Sequence, residues 1–170
     1  MKKEKQTYRL FIAAFAQVDD YKGLKQKLGS SFHGRWVRPE NLHMTFKFLG
    51  DIDDPKTVIE KLKKLNYKKK QIVKFQRLKL FNKRILSLRS SNKTLYKIHD
   101  QLEDLLGNEF KREETFKPHI SLMRVKKIKN KEYKEFFKTF EVHGTVELKI
   151  VLVQSRLDPE GVRYKILREF

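Results

Sequence analysis

The chain has 170 residues, 39% apolar and 36% charged, with 40 Lys+Arg against 21 Asp+Glu and a net charge of +19. That length suits one domain or two small lobes sharing an interface, and the interleaved apolar residues exclude wholesale disorder. The absence of cysteine excludes a disulfide framework, a thiolate metal site and a cysteine nucleophile.

The charge has two readings: a polyanionic partner such as RNA or DNA, or a solvated surface in a lysine-rich proteome. No apolar run approaches the roughly 20 residues that span a membrane. The start, MKKEKQTYRLFIAAFAQ, imitates a leader, with a basic end and Ala14-Phe15-Ala16 as a mock cleavage site. Its apolar stretch, Leu10 to Ala16, is short and is preceded by Arg9. A first buried strand is the better reading, and with it a cytoplasmic protein.

In chain order, Tyr8 to Ala16 reads as that strand. Asp19 to Leu28 reads as a helix capped by Asp19 or Asp20, with Gly29 after its end. The segment RWVRPE reads as a connector in which Pro39 holds Arg38 extended. Leu42 to Leu49 reads as a strand closed by Gly50-Asp51. Pro55 sits at the first position of a helix running to about Leu65. Gln71 to Leu80 and Arg84 to Arg89 read as two strands around a Phe81-Asn82-Lys83 turn. Ser91 or Asn92 caps a helix to about Leu106, ended by Gly107. The second half repeats the grammar, with a strand from His119 to Arg124 and a basic helix from Asn130 to about Lys138. A long strand or bent pair from Phe140 to Gln154 follows, then a Pro159-Glu160-Gly161 turn and a closing strand from Val162 to Leu167. The result is a mixed α and β chain of two similar halves.

Each half carries the same short phrase: His43-Met44-Thr45-Phe46 in the first, His119-Ile120-Ser121-Leu122 in the second. With 5 His in the chain, chance gives about 0.06 such matches when apolar residues are required at the second and fourth positions. Two are present. Alternate residues of a strand share a face, so each phrase presents an imidazole beside a hydroxyl. Simple alternation puts Lys47 on the same face as His43 and Thr45, and sends Leu42, Met44, Phe46 and Phe48 to the core. His143-Gly144-Thr145 fails the stricter pattern at Gly144, and Val142, Val146, Leu148 and Ile150 alternate inward, leaving His143 on the polar face. His33, His99 and His143 read as surface or loop histidines.

Two histidines suit phosphodiester chemistry. One takes a proton from an attacking water while the other gives one to the leaving oxygen, and both forms of imidazole are available near neutrality. Thr45 and Ser121 are placed to hold phosphate oxygens. The sequence has no HExxH, no Cys set and no dense Asp cluster, so no metal or other cofactor is expected.

The two phrases resemble the paired signatures of the two-histidine phosphoesterases. With RLFIA, RWVRPENLHMTFKFLGD, FKPHISLMR and SRLDPEGVRYKIL, the chain resembles the RNA 2′,3′-cyclic phosphodiesterases, historically called 2′-5′ RNA ligases, over nearly its whole length. The resemblance implies an α+β fold of two pseudo-symmetric lobes, with antiparallel sheets facing a central cleft and helices outside. It implies one bilobal domain over residues 1–170, monomeric, acting on RNA with 2′,3′-cyclic phosphate or 2′-5′ linked ends and leaving a 2′-phosphate. It makes His43 the general acid and His119 the general base, with Thr45, Ser121 and Arg124 on the phosphate. Arg124 has the wrong strand parity for that role unless a bulge or strand end redirects it. Two departures stand out: Ser121 replaces the commoner Thr, and LFNKRILSLR, with Ser87 where Trp is common, replaces a Gly-rich, Trp-bearing segment. Trp36, Phe48 and Tyr164 are candidates for stacking a base, and each also reads as a core residue. The competing readings are a 2′-5′ phosphodiesterase or ligase on the same fold, and a basic RNA-binding module whose histidines are incidental.

Overall fold

The computed structural model describes residues 8–170; the basic start of the leader-like segment lies outside them. The first strand, β1 (Tyr8–Val18), is followed by α1 (Tyr21–Gly29), β2 (Phe32–Trp36), β3 (His43–Ile52) and α2 (Lys56–Leu62). Then come β4 (Ile72–Phe75), β5 (Arg77–Phe81), β6 (Ile85–Arg89) and α3 (Lys93–Leu106). The chain closes with β7 (His119–Ile128), α4 (Tyr133–Thr139), β8 (Gly144–Glu147), β9 (Val151–Asp158) and β10 (Gly161–Glu169).

Local chemistry explains the boundaries. Asp20 caps α1 by accepting from the Gly23 N–H, and Asn92 caps α3 by accepting from Thr94. Asn82 and Lys83 both take positive φ, 48° and 56°, forming the tight turn that joins β5 to β6. Several boundaries differ from the sequence expectation. Arg35 and Trp36 belong to a strand, because β2 pairs along the outer part of β7. The stretch from Gln71 to Leu80 divides at Gln76, so β4 pairs with β8 while β5 pairs with β6. Pro55 precedes α2 as its cap, and Asp54 Oδ1 accepts from the Lys56 N–H. Helix α4 starts at Tyr133 rather than Asn130, whose side chain accepts from the Glu132 N–H ahead of it.

All strand pairing is antiparallel, and the main path runs β10-β9-β1-β3-β7-β6-β5. The two halves are the sheet on either side of the β3–β7 seam. Helices α2 and α3 pack together behind the first half, and α1 and α4 lie against strands of the second. Strand β8 bridges β1 and β4, nearly closing the sheet into a barrel. A continuous core that includes Leu10, Met44, Phe46, Leu88, Ile120 and Leu122 fills the interior behind the seam. Among the described residues, no helix is long and apolar enough to cross a membrane.

Candidate active site

Strands β3 and β7 are built alike. Residue for residue, their burial follows one pattern from the histidine onward, including two consecutive buried positions at Phe46-Lys47 and at Leu122-Met123. The cause is a matched bulge. On β1, Ile12 and Ala13 face Lys47 and Thr45, so Phe46 is the extra residue. On β6, Leu86 and Ser87 face Met123 and Ser121, so Leu122 is the extra residue. One added residue reverses the side-chain alternation beyond it.

This reversal corrects two expectations and explains a third. Lys47 turns into the core, 1% exposed, rather than lying beside His43. Phe48 turns out of it, 68% exposed, onto the His43 face. Arg124, at the position equivalent to Phe48, is exposed on the His119 face; its bulge supplies the redirection that parity alone denies it.

The seam has one bridge, between Met44 and Ile120. Reading the antiparallel register outward from it places His43 across from Ser121 and Thr45 across from His119, all four on the face away from the core. The two lobes hold their imidazoles the same way. His43 Nδ1 lies 2.7 Å from the Asn41 carbonyl, and His119 Nδ1 lies 2.7 Å from the Lys117 carbonyl. A carbonyl only accepts, so Nδ1 carries the hydrogen in both rings, which leaves Nε2 as the nitrogen that can take up a proton. The hydroxyls of Thr45 and Ser121 are half-buried and make no side-chain hydrogen bond among the described residues.

Burial pushes both imidazoles below the ordinary histidine value. At His43 the carbonyl of Asn41 opposes the shift and the charge of His119 adds to it. At His119 the Lys117 carbonyl opposes it, Arg89 adds to it and Glu113 opposes it. Around His43 the rings of Phe11 and Tyr164 stand 5.1 and 5.2 Å away. Burial raises the Tyr164 hydroxyl's pKa and the Arg124 cation opposes that rise, which couples the two sides of the cleft. Of the three stacking candidates, Phe48 and Tyr164 line this face. Trp36 packs edge-on against Tyr21 instead.

His99 is not a surface residue. It is 4% exposed and stacks on Phe116 at 4.1 Å between ring centres. Its i, i+4 spacing to Glu103 is the sequence feature that places it on the inner face of α3. His99, Glu103 and Glu113 offer three donor atoms within 4.8 Å of one another. Lys47 Nζ, however, already lies 2.6 Å from Glu103 Oε1, so a cation occupies that corner on the core side of β3. His33 is exposed, and His143 is half exposed beside Glu141 and Gln76.

Fold and site together define a two-histidine phosphoesterase. The family described as LigT-like phosphoesterase matches residues 17–89. An RNA 2′,3′-cyclic phosphodiesterase of Aquifex aeolicus is 31% identical over 164 residues, covering 86% of each chain. One from Methanocaldococcus jannaschii is 31% identical over 170 residues, covering 94% of this chain and 91% of its own. Escherichia coli LigT in its apo form superposes with a TM-score of 0.72 at 17% identity, covering 97% of each chain, which shows the shared fold. The chain belongs to the LigT-like phosphoesterase family.

Proposed function

We propose that the chain hydrolyses RNA 2′,3′-cyclic phosphate ends to 2′-phosphate ends without a metal. The observation that carries the reading is the pair of imidazoles, each tied through Nδ1 to a carbonyl two residues back and each flanked by a hydroxyl on its own strand. The names of the Aquifex and Methanocaldococcus relatives support the substrate. Neutral His119 takes a proton from water through Nε2, and the oxygen attacks phosphorus in line with the 3′ oxygen. The P–O3′ bond breaks, and protonated His43 gives its Nε2 proton to the leaving oxygen. Charge accumulating on the non-bridging oxygens is held by Thr45, Ser121 and Arg124. Each half supplies one histidine, so residues 1–170 act as one bilobal unit and one copy suffices.

The test is a short RNA ending in 2′,3′-cyclic phosphate, incubated with the purified protein and EDTA. The expected product is a 2′-phosphate end, read by mass and by phosphatase and periodate sensitivity. His43→Ala and His119→Ala should each lower kcat by about 10²–10⁴-fold with far-UV circular dichroism unchanged. A wild-type rate in either variant, or activity abolished by EDTA and restored by a divalent ion, overturns the reading.

A further inference from the structure

The two halves share a backbone plan but not a surface. Register makes the comparison residue by residue. Opposite His43 on the neighbouring strand stands Phe15, and opposite His119 stands Arg89. Ala13 faces Thr45 where Ser87 faces Ser121, and Phe11 faces Phe48 where Ile85 faces Arg124. One strand further out, Val151 pairs with Ala13 where Lys79 pairs with Ser87, and Arg77 pairs with Arg89. The wall beside His43 is therefore apolar, a cluster of Phe11, Ala13, Val151 and Val153 with Phe15 and Tyr164 packed on it. The wall beside His119 is cationic.

That second wall continues into an open cavity of about 380 Å³ lined by Arg77, Lys79, Phe81, Arg89, Tyr96 and Lys117, among others, none of them acidic. None of the four cations makes an ion pair or a side-chain hydrogen bond among the described residues. The buried Nε of Arg89 has no hydrogen-bond partner among the described residues. Arg89 and Lys117 stand 5.6 and 6.0 Å from the centre of the Phe81 ring, and Phe81 and Tyr96 are both exposed. Four unneutralised cations around two exposed rings are costly together, and an anion with a flat face would relieve both terms.

We propose that this cavity binds the phosphodiester and base immediately upstream of the cyclic end, so that the chain is selective for oligonucleotides over mononucleotides. The proposal rests on the cyclic phosphodiesterase reading. In that reaction the leaving 3′ oxygen faces His43, which puts the terminal ribose against the apolar wall. The chain of the RNA then crosses to the other wall. Arg89 is one strand from β7 and Arg77 is two strands away, about 10 Å, within reach of the next nucleotide. Arg77 and Lys79 hold the upstream phosphate, and Phe81 offers its ring to the base.

The experiment compares a mononucleoside 2′,3′-cyclic phosphate with a short RNA of the same 3′ nucleoside ending in the same group. Wild type and the Arg77→Gln/Lys79→Gln double variant are measured over a range of salt. Both substituted side chains are exposed, so the fold survives. Wild type should favour the RNA by about 10-fold or more in kcat/KM, through KM. The double variant should lose that preference while mononucleotide kinetics stay within about 2-fold. Its slope of log kcat/KM against log salt on RNA should be shallower by about 0.7, the value for one single-strand phosphate no longer neutralised. Equal treatment of the two substrates by wild type, or an equal loss on both in the variant, overturns the subsite and leaves the cyclic phosphodiesterase reading standing. Turnover of neither substrate by wild type overturns both.

Discussion

In the proposed reaction both imidazoles start from the same handicap. Burial favours the neutral ring, and the carbonyls of Asn41 and Lys117 only partly restore the charged one. The acid must nevertheless be protonated when the base is not. The pH profile of kcat/KM, which reports the free enzyme, should therefore be bell-shaped with both limbs below the ordinary histidine value of about 6.5. A flat profile, or an optimum well above neutrality, would contradict the assignment. Arg89→Gln sharpens the test. The Arg89 charge is one of the causes lowering His119, so its removal should move the acid limb to higher pH. The same displacement acts on stability. A histidine with a depressed folded pKa contributes stability above the unfolded value, and that contribution is lost as pH falls through the folded one. The urea midpoint of the wild type should fall as pH drops below about 6.5, and fall less in the His43→Ala/His119→Ala double variant.

The bulge in each central strand decides what the elements can do. Up to Thr45 and Ser121, simple alternation places every side chain correctly, which is why the histidines and hydroxyls were legible as one face. One residue later the count is off by one, and no local chemistry in Phe46 or Leu122 announces it. The repetition between halves is the feature that could have shown it: a family arginine at Arg124 requires a bulge, and the matched half then requires one beside Phe46. Strand β2 was illegible for a different reason: its five residues alternate in burial, but only Phe32 is fully buried and Gly34 takes the middle inward position, so the sequence shows no apolar alternation. The bulge also puts Lys47 in the core, paired with Glu103 and bonded to the Lys111 carbonyl. Lys47→Ala leaves Glu103 buried without its ammonium and should cost about 3–5 kcal/mol in urea unfolding. The other half carries Met123 at the equivalent place. Lys47→Met with Glu103→Gln should therefore recover most of that loss. If the double variant is no more stable than Lys47→Ala, the cost lies in packing rather than in the uncompensated charge.

At the scale of the molecule, the spacing of the two histidines depends on how the halves meet, and along the β3–β7 seam they share the Met44–Ile120 bridge. Behind it lies Gly144, the first residue of β8, paired with Val18 of β1 on one side and Phe75 of β4 on the other. A Cβ at this glycine would stand 2.9 Å from Leu88 Cδ1 and 3.2 Å from Ile120 Cδ1. Leu88 pairs with Ile120, and both are fully buried, so neither has room to retreat. Pressure on Ile120 is transmitted to its chain neighbours, His119 and Ser121. Gly144→Ala should destabilise the fold by about 1–3 kcal/mol. Its kcat should also fall further than the folded fraction accounts for, because a displacement of the seam misaligns acid and base together. Gly29→Ala is the control. Nothing lies within 4 Å of a Cβ at that site, the last residue of α1, so stability should be unchanged or raised by up to about 1 kcal/mol. Comparing kcat per folded molecule in the two variants separates the effect of the seam from that of any added methyl. A Gly144→Ala enzyme with wild-type kcat would mean that the β3 and β7 backbones, not the packing behind them, hold the histidines in place.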